Sequence, residues 1–481
     1  MAARVAASSA KSSVCLLERG KEWSVGDFPD RIDSYLPQTR SEINPLGLYE
    51  ALNFSGIAVG KASGLGGCSL VSANVALIPD AAVFEQPSWP VPLKREWLLP
   101  YFERARAVLA ARPHPHASQL PKHRALGIAA AAIPEALDLA VSFAPEGANG
   151  HGVFQRPCID CGDCMTGCNV GAKNTLPTNY LAIASGAGAE IYTQTAVEWI
   201  EKLNEGWRVH GTRYENAIIK HRFQVDAREL VLAAGAVNTP EILLRSQRHS
   251  LGFSRRLGSG FSGNGDFFGI AHDAEGEVRA RGIGRQPGAG PGPTITGAAR
   301  RNGSGPVGER FLVEDSTIPS AFVRAAQFAV SALSDGDAAL ERTIVFLVMS
   351  MDNAQGRVVL DGDRADVVWD EAGKQPSFDR IETELGNMTR RLGARSLGAS
   401  LLSMLNLRRL ITLHPLGGCP MGEDHTVGAT DEYGRVFASD GSLHKGLRVV
   451  DGSLVPSALA ANPMLTICAL AERIAEHWNN Q

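Results

Sequence analysis

The sequence predicts an α/β protein in which a Rossmann-like dinucleotide-binding domain, lacking its first strand and turn, is joined to an α+β domain with an antiparallel sheet. Three observations carry that prediction. The run Ser13-Val14-Cys15-Leu16-Leu17-Glu18 is short, apolar and ends in an acid, the pattern of a buried parallel strand whose carboxylate hydrogen-bonds a ribose. The stretch from Gly60 to Val75 is glycine-rich, so its backbone can lie against a flat ligand with no Cβ between. The segment Glu229-Leu-Val-Leu-Ala-Ala-Gly-Ala-Val-Asn-Thr-Pro240 reads as a buried strand, a turn at Gly235 and a helix begun by Thr239 and Pro240 as N-cap and first residue.

In chain order, residues 2–10 are small and helix-tolerant and lead into the acid-ended strand. A dinucleotide unit normally precedes that helix with a strand and a G-x-G-x-x-G turn that holds a pyrophosphate. Met1 falls inside the helix, so a mis-called start is expected, with weak cofactor binding by the chain as it stands and a remnant without activity as the rival expectation. Residues 95–112 form an amphipathic pattern, followed by a proline- and histidine-bearing linker through Pro121, with His114, His116 and His123 expected at the surface. Ile191 to Val197 reads as one strand, and the glycines and prolines of 275–310 as a long excursion between strands of the second domain. The dinucleotide-binding domain is expected at 1–75, 186–262 and 438–481, and the second at 76–185 and 263–437.

The bulk composition narrows the function classes. With 47 basic and 51 acidic residues the formal charge is -4, which offers no one-sided field to nucleic acid. No apolar run is long enough for a transmembrane helix. Four of the eight cysteines crowd together instead of spreading as a secretory disulfide framework would, which points to a reducing, cytoplasmic compartment.

The C-terminal third holds the densest motifs: His414-Pro-Leu-Gly-Gly-Cys-Pro-Met-Gly422, Leu447-Arg-Val-Val-Asp451-Gly452-Ser453, and Ala460-Ala-Asn462-Pro463-Met464-Leu-Thr466 running into a helix over 467–478. In this order, together with Glu18, the Gly64-Leu-Gly-Gly-Cys-Ser-Leu loop, Thr195-Ala-Val197 and Leu232-Ala-Ala-Gly235, they resemble the glucose-methanol-choline (GMC) oxidoreductases, in their cholesterol-oxidase-like branch. The resemblance spans almost the whole chain. It implies an FAD/NAD(P)-binding Rossmann-like fold and oxidation of an alcohol or sterol hydroxyl to a carbonyl, with oxygen or an electron carrier as final acceptor. It also implies that Glu18 meets the ribose and the Val197 backbone the adenine. Gly66, Gly67 and Asn74 would then lie near the pyrophosphate and the flavin ring, and Asp451, Gly452 and Met464 would close the site. FAD is expected to be noncovalent, because no histidine precedes His114 and so none lies in the flavin loop.

The chemistry supplies its own reason for pairing a histidine with an asparagine. Moving hydride from carbon to flavin requires the hydroxyl proton to leave, which suits an imidazole, and His414 is the candidate base. An uncharged amide, Asn462, can support the developing alkoxide without competing for the proton. The glutamate found in cholesterol oxidases has no clear counterpart; Glu314 and Glu341 stand unranked. Cys68 in the flavin loop reads as a small neutral filler.

One signal competes. Cys158-x2-Cys161-x2-Cys164-x3-Cys168 has ferredoxin spacing, but Asn169 replaces the usual proline and no second cysteine set is present. Buried thiols or a zinc-like structural site are the favoured reading. An iron-sulfur relay that would make the chain a dehydrogenase passing electrons to a carrier stays open.

Overall fold

A computed structural model describes the chain except residues 9–11, 216–217, 287, 302, 331–335, 398–409 and 481. Helix α1 (Ala2–Ala6) leads to β1 (Cys15–Leu17) as expected, although 9 and 10 of the proposed helix lie outside the described residues. Strands β2 (Tyr49–Asn53) and β3 (Ile57–Ala62) form a hairpin that delivers the glycine-rich loop. Helix α2 (Arg95–Val108) buries Leu98, Phe102 and Ala105, four and three residues apart and so on one stripe. Helix α3 (Pro121–Ala130) follows, and β4 (Glu190–Tyr192) then pairs in parallel with β1. Strands β5 (Thr195–Lys202), β6 (Trp207–Glu215) and β7 (Ile219–Ala227) make an antiparallel meander, after which β8 (Leu230–Leu232) turns into α4 (Gly235–Gln247).

The second sheet is antiparallel. It comprises β9 (Phe267–His272), β10 (Gly297–Arg301), β11 (Phe311–Ser316) and, after α5 (Ser320–Val330), β12 (Ile344–Ser350), in the spatial order β9, β12, β11, β10. Interior position leaves every residue of β11 buried, including Glu314 and Asp315. Helix α6 (Phe378–Arg391) covers this sheet with Phe378, Ile381, Leu385 and Met388, a 3-4-3 spacing. Strand β13 (Leu410–Thr412) adds in parallel to β3, and β14 (Arg435–Phe437) pairs with β15 (Leu443–Val449), itself parallel to β8. The closing helix α7 (Met464–Asn479) packs Leu465, Ala469 and Leu470 into the same core as Leu98 and Phe102 of α2. Burying each such large side chain stabilises by roughly 1.5–3 kcal/mol.

Several boundaries differ from the sequence expectation, each for a local reason. The run 191–197 is two strands, because Gln194 takes a positive φ of 57°, and Gln194 and Thr195 donate their N–H groups to Gly20 and Glu18 as the chain leaves β1 for the meander. Helix α4 starts at Gly235 instead of Thr239, because the Asp451 carboxylate accepts the Gly235 N–H at 2.8 Å and supplies the cap. Thr239 bridges from within, accepting the Ala234 N–H and donating to Asp451 at 2.5 Å. Helix α7 likewise begins three residues early, at Met464 behind Pro463. Strand β10 falls inside the expected excursion 275–310. His114 and His123 are buried, not superficial: His114 Nε2 lies 3.1 Å from Asp160, and the His123 ring packs against Gly297.

Candidate functional site

Strand ends of the dinucleotide half and the exposed face of the second sheet enclose one cavity of about 3000 Å³. Glu18, Gly66, Gly67, Asn74, Val197, His414, Asp451, Gly452, Asn462 and Met464 all line it. The fold thus gathers residues drawn from positions 18 to 464 along the chain. Cys158, Cys161, Cys164 and Cys168 do not line it, and neither do Glu314 and Glu341.

At one end, Glu18 Oε1 accepts the Gly20 N–H at 2.6 Å, and burial raises its carboxyl pKa. Nearby, Arg19, Lys61 and Arg40 surround Glu50 at 2.8, 3.2 and 3.7 Å. Burial opposes ionisation of Glu50, yet these three cations hold its pKa down to about 2. Glu18 and Glu241 line the same wall, and Arg40 Nη1 has no protein partner. This cluster was not foreseen from sequence, since its members come from four separate segments.

The glycine loop takes backbone conformations that other residues rarely adopt. Gly66 has φ 106°, and a Cβ there would lie 2.6 Å from Pro177 Cδ; Gly67, at φ 56°, faces open space. Asn74 also takes a positive φ, 69°, in the region where asparagine is among the few tolerated side chains. It is 1% exposed, and neither carboxamide atom has a protein partner. Cys68 Sγ accepts the Ala62 N–H at 3.5 Å.

The other end holds the candidate chemistry. His414 follows β13, and its Nδ1 lies 2.9 Å from Asp266 Oδ1. Asp266 is fully buried and accepts the Leu413 N–H at 2.9 Å and the Thr412 hydroxyl at 3.0 Å. The neighbouring Asn264 Oδ1 accepts the Leu459 N–H at 2.8 Å, and its Nδ2 donates to Ala461 O at 2.9 Å. One turn, Gly263-Asn-Gly-Asp266, therefore holds both the His414 strand end and the segment that delivers Asn462. Sequence reading missed Asp266 and Asn264. The Asn-Gly pair ahead of a strand was the available signal for a turn, but not for its partners.

Behind Asn462, its Nδ2 points at Glu314 Oε2 at 3.4 Å, while Asn462 Oδ1 and Glu314 Oε1 have no protein partner. Burial pushes the Glu314 carboxyl well above the usual carboxylate range. Glu341, the other sequence candidate, pairs with Arg281 at 3.2 Å and is half exposed. Thr466 Oγ1, in the first turn of α7, is also unpartnered. A flavin ring presents both N–H and carbonyl groups along its edge, and these orphaned donors and acceptors fit such a group.

The cysteine loop reaches this site through Met165, while its four cysteines stay off the lining. Lys173 donates to the carbonyls of Leu70 (3.0 Å) and Ser72 (2.6 Å) in the flavin loop and of Cys164 (2.9 Å). Burial lowers its pKa to about 8. Burial likewise raises the thiols of Cys158, Cys161 and Cys164. Among the described residues no group of three or more His, Cys, Asp or Glu side chains is arranged to hold a metal ion.

The sequence models of the GMC oxidoreductase family match residues 43–262 and 354–471. A cholesterol oxidase of Mycobacterium tuberculosis is 29% identical over 470 residues, 87% of this chain and 78% of that protein. A cholesterol oxidase of Acinetobacter baumannii is 26% identical, across 96% of this chain and 89% of its own length. A long-chain-alcohol oxidase of Arabidopsis thaliana is 25% identical across 65% of this chain and 45% of that protein. Among solved structures, pyridoxine 4-oxidase from Mesorbium loti superposes with a TM-score of 0.66 at 17% identity, covering 100% of this chain and 96% of that one.

Proposed function

Because the chain belongs to the GMC oxidoreductases, a family of flavoenzymes, we propose that it oxidises the CH–OH group of an apolar alcohol, of sterol or long-chain type, to a carbonyl. The observation that carries this reading is the placing of His414 and Asn462 on one cavity, His414 braced by Asp266. FAD, bound without a covalent bond, supplies the hydride acceptor when present. Glu18 would hold its ribose, the Arg19, Arg40 and Lys61 cluster its phosphates, and Asn74 with Gly66, Gly67 and Met464 its ring. Val197, Asp451 and Gly452 complete the enclosure.

His414 takes the hydroxyl proton as the C–H bond breaks. Asn462 steadies the oxygen. Glu314, whose carboxyl burial raises well above the usual range, would donate its O–H to the Asn462 carbonyl oxygen once that amide is turned, leaving the amide N–H groups for the substrate oxygen. The apolar walls formed by Phe268, Val345, Leu347, Ile318 and Phe322 support a water-poor substrate. Oxygen or a separate carrier then removes the electrons.

Among the described residues no helix is long and apolar enough to cross a membrane. All eight cysteines are free, which supports a reducing compartment such as the cytoplasm. The test is anaerobic mixing of the flavin-loaded protein with primary, secondary and sterol alcohols while flavin absorbance is followed. Bleaching by the apolar alcohols is expected, and no bleaching by any of them would refute the reading. Acid precipitation should leave the colour in solution. Iron analysis should find no stoichiometric iron.

A further inference from the structure

We infer that Asp266 is the positioning residue that fixes His414 with its proton on Nδ1 and its Nε2 lone pair toward the cavity. This inference rests on the reading of His414 as the base, and it deepens that reading by assigning the group that makes the imidazole able to accept a proton.

The argument is one of hydrogen-bond valence. Asp266 is fully buried, and the Leu413 N–H, which can only donate, points at its Oδ2 at 2.9 Å. The Thr412 hydroxyl oxygen accepts the His414 N–H at 2.9 Å, and its one hydrogen is shared between Asp266 Oδ2 at 3.0 Å and the Gly263 carbonyl at 2.9 Å, away from His414. With the Leu413 N–H fixed on Oδ2 and the Thr412 hydroxyl beside it, Oδ1 is left as the acceptor that faces His414 Nδ1 at 2.9 Å. Nδ1 must carry a hydrogen. In a neutral ring that leaves Nε2 bare, on a residue that lines the cavity.

The same contact serves the next moment of the reaction. When Nε2 takes the hydroxyl proton, the ring gains a positive charge at hydrogen-bond distance from a buried carboxylate, where charge-assisted bonds are strongest. Near this pair, Glu314 lies behind Asn462, and Asp352 accepts the Gly265 N–H beside Asp266 at 2.9 Å; burial raises both carboxyl groups. The charge formed on His414 is therefore met first by Asp266, the carboxyl in direct contact with its ring.

Asp266→Asn separates this role from simple support of the turn. An asparagine of the same shape must keep its oxygen toward the Leu413 N–H, so its NH2 faces His414 Nδ1. That reverses the tautomer, putting hydrogen on Nε2 and removing the base, while the turn keeps its bonds. A reversed tautomer in a comparable histidine–carboxylate pair costs up to about 10⁴-fold.

The experiment pairs nitrogen NMR of the full-length protein carrying ¹⁵N-histidine with stopped-flow flavin reduction. The His414 signals are assigned by their loss in His414→Ala. In the wild type, neutral His414 should show a protonated Nδ1 and a bare Nε2. Asp266→Asn should show the reverse, keep its flavin content and melting temperature, and reduce flavin about 10²- to 10⁴-fold more slowly. Its rate should also lose the rise with pH that reports a neutral base. A wild-type His414 with its proton on Nε2 overturns the inference even if Asp266→Asn does not fold. So does an Asp266→Asn variant that bleaches at the wild-type rate while His414→Ala is slow. If His414→Ala is itself fast, the base assignment fails, whereas the wild-type tautomer still decides what Asp266 does.

Discussion

The two sides of the reacting centre are finished to different degrees by the protein. On the His414 side every polar group named is satisfied from within the chain: Asp266 holds the ring, Thr412 and Leu413 hold Asp266, and the bonds lie between 2.9 and 3.0 Å. On the Asn462 side, Asn74, Asn462, Glu314 and Thr466 all keep buried polar atoms with no protein partner. A buried unsatisfied group costs about 1–3 kcal/mol, so a chain holds several together only where a ligand completes them. On the function proposed above, the difference teaches that the proposed base is preorganised by the fold, while the amide and acid opposite it are set by what binds.

That contrast can be broken by substitution. Outside His414 and its Asp266 brace, the largest expected effect is Asn462→Ala, which should slow flavin reduction about 10²- to 10³-fold, as for one lost oxyanion donor, with flavin content retained. Stopped-flow bleaching measures it; an unchanged rate would move Asn462 out of the chemistry. Next is Lys173→Met, which strips the donor from the carbonyls of Leu70, Ser72 and Cys164 at once. It should cost about 2–4 kcal/mol in denaturant unfolding and release flavin more readily, because the cysteine loop and the flavin loop share that ammonium. Smaller is Asn74→Gly, chosen because glycine tolerates the positive φ. It should weaken flavin affinity roughly tenfold, about 1.4 kcal/mol, while leaving the flavin-free protein as stable as before.

The smallest expected effect sharpens the comparison through pH. Glu314 has a folded pKa raised by burial, so the folded state binds its proton more tightly than the unfolded state does. Its contribution to stability is full below the unfolded carboxylate value of about 4.3 and is lost as pH rises toward the folded value. Glu314→Gln, which stays neutral, should therefore gain in melting temperature over the wild type as pH is raised from 5 to 8. A constant difference across that range would show that Glu314 is ionised in the fold.

How much of this was legible in the sequence follows from the distances involved. His414 and Asn462 sit inside contiguous motifs whose order along the chain carries information, and the glycine loop declares itself by composition. Asp266 does not, because its partner lies 148 positions away and an acid after an Asn-Gly turn has many other uses. Glu314 could not be ranked above Glu341 because β11 is buried on both faces, so its sequence has no alternation to say which side chain faces what. The strand break at Gln194 and the early start of α4 were hidden for a related reason, since both are set by partners distant in sequence, Gly20 with Glu18 and Asp451.

The measurement that bears most directly on the account is the rate of anaerobic flavin bleaching by an apolar alcohol, in the wild type and in His414→Ala, across pH. The wild-type rate should rise with pH through one ionisation, because only the neutral imidazole accepts the hydroxyl proton. His414→Ala should keep its flavin, bleach about 10²- to 10⁴-fold more slowly and lose that limb. A His414→Ala protein that bleaches at the wild-type rate with the same alcohol would contradict the account.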